Sequence, residues 1–381
     1  MIKKLGYYLF ALVYYLCKPF PIKNKNVLCI MTHDDGEGSN VRIAARAFKD
    51  LAEGYTFSYI TKSETRAVKS LRGMRTVIAF FFQKPYDLAR AEIVLLDNVF
   101  IPLAYLHTKK KTKVVQLWHG TGSIKKFGQD VNTGKLKDLE KRANSNVTHL
   151  IVNSPEMKKL YSSAFGINEE FIYTIGLPKT DELLMRIKKI EVAKKNLDKE
   201  YIYHKYNIPK LRKLILYAPT FRDNEISNPK MFELLKELSK ELPEDYCIGL
   251  RLHPFIAKQF KLEQMDQRIF QLSFEKDVNS LLLASDLLIT DYSSIIFEYC
   301  LTERPMIFYA YDYAEFSDLG RGFYYDYESY VPGPVAYSCK EVVEIIKMNC
   351  FERNRMKEFN DNNYLYRDGD ASKRLIELLR H

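Results

Sequence analysis

Short apolar runs, each ending in a polar loop, recur along this chain, and segments of helical pattern separate them. Val27–Met31 runs into Thr32-His33-Asp34-Asp35-Gly36-Glu37-Gly38, after which Ser39 or Asn40 can cap a helix through Leu51. Further runs stand at Thr76–Phe82, Ile93–Leu96, Val114–Leu117 and His149–Val152. Strands alternating with helices require a parallel sheet, because each return to a parallel neighbour needs a crossover and the crossover helices cover both faces. Ser154-Pro155-Glu156 opens a helix by its cap, its first-position proline and its first-turn acid, and Gly166 closes it. Between Met185 and Tyr206 the composition changes to mixed charge without Gly or Pro, which reads as a solvated helix joining two halves. The alternation then restarts, with strands expected at Lys213–Ala218, Tyr246–Leu252, Asp286–Thr290 and Pro305–Ala310, and helices at Pro229–Leu242 and Ser293–Leu301. A chain of 381 residues exceeds one ordinary core, so two open α/β domains with a cleft between them are expected. No repeat at solenoid spacing is present.

Composition narrows the function. Hydrophobic residues at 46% and charged residues at 28% exclude a disordered or low-complexity chain. The net charge of +10 favours an anionic partner without choosing among nucleic acid, phosphorylated substrates and an acidic membrane surface. Nucleic acid is disfavoured, since the lysines are spread over many segments and form no stripe interleaved with aromatics. The six cysteines are scattered, with no C-x-x-C, and indicate neither a zinc site nor a disulfide framework; reduced cytoplasmic thiols are the plain reading. At the N-terminus Lys3 and Lys4 precede uncharged residues from Leu5 to Cys17. That stretch is too short to span a bilayer, which takes about 20 apolar residues, and it lacks the small residues of a cleavage site. Its tyrosines suit either a segment lying at the headgroups of a membrane or an ordinary buried helix.

In open α/β sheets ligands sit beyond the carboxyl ends of the strands, so polar residues directly after apolar runs are the candidates for chemistry. His119, followed by Gly120, Thr121, Gly122 and Ser123, has room for a substrate and a side chain suited to proton transfer at neutral pH, or is simply a structural histidine. Strand alternation would put Arg251 and His253 on one side, where both can donate to a phosphate. Asp291-Tyr292-Ser293-Ser294 leads into a helix whose start can cradle a phosphate, and Glu298, a turn further on, can accept ribose hydroxyls. Arg222 either pairs with Asp223 or grips a phosphate in the fork geometry of guanidinium. His33, Asp34 and Asp35 could ligate a divalent ion, but no further ligand stands at the required spacing, so no metal is expected. No Walker loop, complete G-x-G-x-x-G or G-x-S-x-G elbow occurs.

Taken together, Trp118-His119-Gly120, Lys125-Lys126-Phe127-Gly128, Gly176-Leu177-Pro178, Ala218-Pro219-Thr220-Phe221-Arg222, His253-Pro254, Thr290-Asp291-Tyr292-Ser293-Ser294 with Phe297-Glu298, and Arg304-Pro305 resemble the CDP-glycerol glycerophosphotransferases of wall teichoic acid synthesis. The resemblance runs in order from about residue 90 to the end, and the short amphipathic start makes the chain look more like a primase than a long polymerase. It implies a GT-B architecture of two Rossmann-like parallel-sheet domains facing a central cleft. The expected parts are a membrane-associating segment over 1–22, an acceptor domain over 23–190, a CDP-alditol domain over 191–365 and a crossover helix over 366–381. It also implies CDP-glycerol as donor, a lipid-linked saccharide as acceptor, no cofactor, and a place on the inner face of the cell membrane. His119 matches the general base and His253 the pyrophosphate contact, with the two imidazoles expected across one hollow; Ser293 and Ser294 match the phosphate-binding serines and Glu298 the ribose contact. Arg222, Arg251 and Asp291 join the donor set, and His33, Asp34, Asp35, Gly120 and Thr121 the acceptor side. A polymerase using CDP-glycerol or CDP-ribitol and a GT-B nucleotide-sugar glycosyltransferase are the alternatives.

Overall fold

The computed structural model describes residues 2–70, 73–222, 231–258, 266–319 and 322–380. Two compact units form. The first holds residues 1–121, 126–182 and 363–381, the second residues 122–125 and 183–362.

The first unit is built on β1 (Asn26–Ile30), β2 (Thr56–Ile60), β3 (Ile93–Leu96), β4 (Lys113–Gln116), β5 (His149–Val152) and β6 (Ile172–Thr174), all parallel, in the order β2-β1-β3-β4-β5-β6. The second repeats the plan with β7 (Lys213–Ala218), β8 (Tyr246–Leu250), β9 (Ile269–Gln271), β10 (Leu287–Thr290), β11 (Met306–Tyr309) and β12 (Val335–Ala336), in the order β12-β11-β10-β7-β8-β9. The expected α/β class with two doubly wound parallel sheets is what the chain forms.

Central strands such as β3 are buried on both faces, which is why they read as unbroken apolar runs rather than as alternation. The helix Asn40–Leu51 shows how the cover is written in sequence. Ser39 caps it by accepting from the Arg42 amide, and Val41, Ala44, Ala45 and Phe48 fall at helical spacing on the face turned to the core. Phe48 is fully buried, so Phe48→Ala would cost about 3–5 kcal/mol. Leu375, Ile376 and Leu379 of the last helix, Ala371–Arg380, share this core, and the Asp181 carboxylate caps that helix by accepting from the amides of Ala371 and Ser372. Just before that helix, Asp368 accepts from the Arg374 guanidinium at 2.7 and 3.0 Å.

Several expectations are corrected. Thr76–Phe82 is not a strand but part of a helix, Met74–Arg90. A short apolar run cannot be told from a helix by period alone, and here Phe80, Leu88 and Ala89 are buried while Phe80 meets Phe10 of the N-terminal helix, Ile2–Cys17, at 5.7 Å. The charged linker is two helices, Pro178–Ala193 and Leu197–Lys205, broken where Lys194 turns to φ 52° and Asn196 caps anew. Strand β8 stops at Leu250, two residues early. The edge strands β2, β6, β9 and β12 carried too little apolar signal to be read. Asp223 and residues 229–230 of the expected Pro229–Leu242 helix lie outside the described residues; the described part is Met231–Glu241.

Candidate active site

A doubly wound sheet opens a crevice where its strand order reverses, because the loops leaving the two strands there turn to opposite faces. In the first sheet the reversal lies between β1 and β3, in the second between β7 and β10. In both units a carboxylate after one of these strands accepts backbone amides of the loop after the other. Asp97 follows β3, and its oxygens take the amides of Thr32 at 2.8 Å, His33 at 2.9 Å and Asp34 at 2.7 Å. Asp291 follows β10, and both its oxygens accept from the Thr220 amide, at 2.8 and 3.0 Å.

At the first reversal point the neighbouring strand β4 brings His119. Trp118 just before it sits at φ 57°, a left-handed conformation that costs an L residue about 1–2 kcal/mol. Its surroundings over-determine it. The Trp118 amide donates to Gln116 Oε1 at 2.9 Å, the Asn40 side chain donates to the carbonyls of Leu117 and Trp118, and the indole stacks on Phe127 at 5.2 Å. The turn sends His119 Nδ1 to 3.2 Å from the Asp97 carbonyl. A carbonyl only accepts, so Nδ1 carries the proton and Nε2 the lone pair. His33 stacks on the His119 ring at 3.7 Å between centroids and 15° between planes. Burial, with the neighbouring His33 adding to it, pushes the His119 imidazole down to about 3, so at neutral pH it is the uncharged base. Loss of water lowers His33 as well. Asp34 spends one oxygen on the Gly36 amide, and the Asp35 carbonyl accepts from Arg42. Thr121 is buried, and its carbonyl accepts from Asn153 at 2.8 Å.

In the second unit Arg222 is nearly buried and lies between two carboxylates. Nε and Nη2 fork onto Asp312 at 2.5 and 2.9 Å, while Nη1 reaches Asp291 at 2.9 Å and the Thr220 carbonyl at 2.7 Å. Burial alone would lower its guanidinium; Asp312 and Asp291 outweigh that and hold it above the ordinary arginine range. Tyr292 donates its hydroxyl to the same Asp312. Arg222 also lines a small hollow, together with Thr220, Phe221, Met231, His253 and Ile256. His253 caps the short helix Pro254–Ala257, its Nδ1 accepting from the Phe255 amide at 3.3 Å, and its ring lies on Phe221 at 4.4 Å. With Nδ1 accepting, the proton of the neutral ring is on Nε2, a donor suited to a phosphate oxygen. Thr220 Oγ1 is buried with no hydrogen-bond partner. Ser293 accepts from the Ile295 amide, and the exposed Ser294 precedes the helix Ile295–Tyr299, in which Glu298 is buried.

The structure therefore gathers His33, Asp34 and His119 in the first unit, and Arg222 with Asp291 in the second. It does not join Arg251 to His253: β8 ends at Leu250, so alternation lapses, and Arg251 Nη1 turns to the carbonyls of Ser273 and Glu275. Arg222, whose expected partner Asp223 lies outside the described residues, meets Asp312, Asp291 and the Thr220 carbonyl. Asp97 and Asp312 escaped the sequence reading. Both follow apolar strands, closely enough for the rule that exposed His119 to have flagged them. Among the described residues no group of three or more His, Cys, Asp and Glu side chains is placed to hold a metal ion.

The family described as CDP-glycerol:poly(glycerophosphate) glycerophosphotransferase matches residues 12–381. The teichoic acid poly(ribitol-phosphate) polymerase of Bacillus spizizenii is 33% identical over 383 aligned positions, covering 99% of this chain and 59% of that protein. The teichoic acid glycerol-phosphate primase of Bacillus subtilis is 32% identical over 306, covering 78% of this chain and 75% of the primase. The chain thus spans less than two thirds of the polymerase. Among solved structures, the wall teichoic acid polymerase TagF superposes with a TM-score of 0.78 at 25% identity, covering 97% of this chain and 92% of that one.

Proposed function

We propose that this chain, which belongs to the CDP-glycerol:poly(glycerophosphate) glycerophosphotransferase family, moves glycerol phosphate from CDP-glycerol to a hydroxyl of a lipid-linked saccharide and releases CMP. The observation that carries the reading is the state of His119: neutral, its proton held on Nδ1 by a carbonyl, its Nε2 lone pair available beside the reversal point of the sheet. That nitrogen takes the proton of the acceptor hydroxyl as the oxygen forms its bond to the phosphorus bearing glycerol. The bond from that phosphorus to the bridging oxygen breaks, and CMP leaves with the electron pair. An anionic pyrophosphate nearby would favour the imidazolium as it forms. Phosphoryl transfer needs positioning and charge stabilisation more than covalent help. His253 Nε2–H donates to the donor pyrophosphate, Ser293 and Ser294 bind its phosphate oxygens and Glu298 the ribose. Arg222 and Asp291 fix the Thr220–Phe221 shelf against which His253 rests, and Arg251 fixes the loop after β9.

Membrane attachment is part of the proposal. The N-terminal helix buries Phe10 and Tyr14, yet its outer face is apolar too: Leu5 is 70%, Leu12 57% and Leu16 68% exposed, beside Ile78 and Phe82 of the neighbouring helix. Lys4 and Lys18 flank this stripe, an arrangement that suits an anionic headgroup layer. No described helix is long and apolar enough to cross a membrane.

The second reading is CDP-ribitol as donor with repeated addition, favoured by the 33% identity to a poly(ribitol-phosphate) polymerase over 99% of this chain. Incubation with CDP-glycerol or CDP-ribitol and synthetic lipid-linked disaccharides, followed by mass spectrometry, separates the two. One added glycerol phosphate is expected; many ribitol phosphates would establish the second reading, and no CMP from either donor would overturn both.

A further inference from the structure

We infer that Asp97 is the positioning residue of the His119 base, fixing through its carbonyl which imidazole nitrogen carries the proton and through its carboxylate the stacked ring that covers the imidazole. The inference rests on the reading of His119 as general base. Asp97 follows β3 directly and is 1% exposed. One oxygen accepts from the Thr32 amide and the other from the amides of His33 and Asp34, so a single carboxylate organises successive peptide groups of the loop after β1. Those bonds fix the backbone of His33, and with it the ring that lies at 3.7 Å over His119. The main chain of the same residue accepts from His119 Nδ1 at 3.2 Å. An imidazole without such partners exchanges tautomers and turns about its own bond; here one residue restrains both motions, leaving Nε2 as the basic atom in one orientation.

An asparagine at this position keeps the carbonyl but sets an amide NH₂ against backbone N–H groups, so at least one of them loses its acceptor. The test uses the full chain carrying ¹⁵N-histidine, with imidazole nitrogens read by NMR and turnover read as CMP release. The wild type should show His119 as the Nδ1–H tautomer. Asp97→Asn, which keeps the main-chain carbonyl, should leave that tautomer in place but loosen the stacked ring and lower kcat about 10- to 100-fold, part of the 10²–10⁴ that a positioned base supplies, with the KM for CDP-glycerol unchanged. His33→Ala removes only the stacked ring, at an exposed position, and should lower kcat less; His33→Phe, which restores a flat ring, should recover most of the loss. An Nε2–H tautomer in the wild type, or kcat within twofold in Asp97→Asn, would overturn the inference. So would a His33→Phe variant no better than His33→Ala, a pair that also decides the matter should Asp97→Asn not fold. Were the wild type to release no CMP from either donor, the transferase reading would fall, while the nitrogen spectrum of the wild type would still decide which imidazole nitrogen the Asp97 carbonyl keeps protonated.

Discussion

Arg222→Met would strip Asp291 and Asp312 of the cation they share, in a place where water cannot replace it: the three side chains are 7%, 2% and 8% exposed. At 2.9 Å and an effective dielectric constant near 20, each contact is worth about 6 kcal/mol before desolvation is counted. The net cost of removing one partner of a buried pair is smaller, about 3–5 kcal/mol, because what remains is the penalty of a stranded charge. Two stranded carboxylates put Arg222→Met at the upper end of that range, although each keeps a hydrogen bond, Asp291 from the Thr220 amide and Asp312 from Tyr292. Protonation sets a ceiling, since neutralising an ordinary aspartate at pH 7 costs about 4 kcal/mol. It also sets the pH dependence. A stranded carboxylate is costly only while it is charged, so the deficit is small in acid and grows as pH rises. Urea unfolding at pH 5 and pH 8, followed by hydrogen exchange of the β7, β10 and β11 amides so that the second unit alone is read, should give a gap from wild type near 4–5 kcal/mol that is wider at pH 8. By calorimetry this corresponds to a fall in Tm on the order of 10 °C. Adding Asp312→Asn should restore about half. A loss below about 1 kcal/mol, or a gap indifferent to pH, would refute the argument that the cation compensates buried anions.

His119, held at about 3 in the folded chain, stays neutral where the unfolded chain takes up a proton. Stability of the first unit is therefore full above pH 6.5 and falls as pH drops toward 3, by about 1 kcal/mol between pH 6.5 and 5.5; urea midpoints across that window check it, and a flat profile would contradict it. Gly128, at φ 59°, places a would-be Cβ at the backbone carbonyl of Ala164, so Gly128→Ala, having no side chain to push aside, should cost more than about 3 kcal/mol or prevent soluble expression; near wild-type melting would count against the packing. Leu12→Glu with Leu16→Glu alters only the outer face of the first helix and should abolish sedimentation with anionic phospholipid vesicles while leaving CMP release toward a water-soluble acceptor intact. Undiminished sedimentation would remove that face from the membrane reading.

The buried central strands were legible because burial on both faces leaves one solution, a continuous apolar run: β3, β5 and β7 stand where the sequence places them, and β1, β4, β10 and β11 differ by a residue or so at their ends. Ser39, Ser154 and Gly166 were legible because caps are local chemistry. The helix Met74–Arg90 was not, since its apolar run answers to a tertiary partner, the N-terminal helix, and not to the sheet. His119 could be picked out as a candidate, but the proton on its Nδ1 could not: that depends on a carbonyl 22 positions away. The ion pairs of Arg222 were not legible, because its two anions, Asp291 and Asp312, are 69 and 90 positions distant and no pattern of spacing joins them.

Residues 371–380 pack into the body that the opening strands build: the core of the first sheet includes Leu375, Ile376 and Leu379, and Asp181 waits for the amides of Ala371 and Ser372. During synthesis, then, the earlier half cannot close when its own strands have emerged from the ribosome. Residues 183–362 have nearly everything they require within one continuous stretch and can consolidate first. A stop before residue 371, or a bulky insertion just ahead of it, would therefore injure the opening strands rather than those of the second sheet, and it would do so hundreds of positions from the lesion.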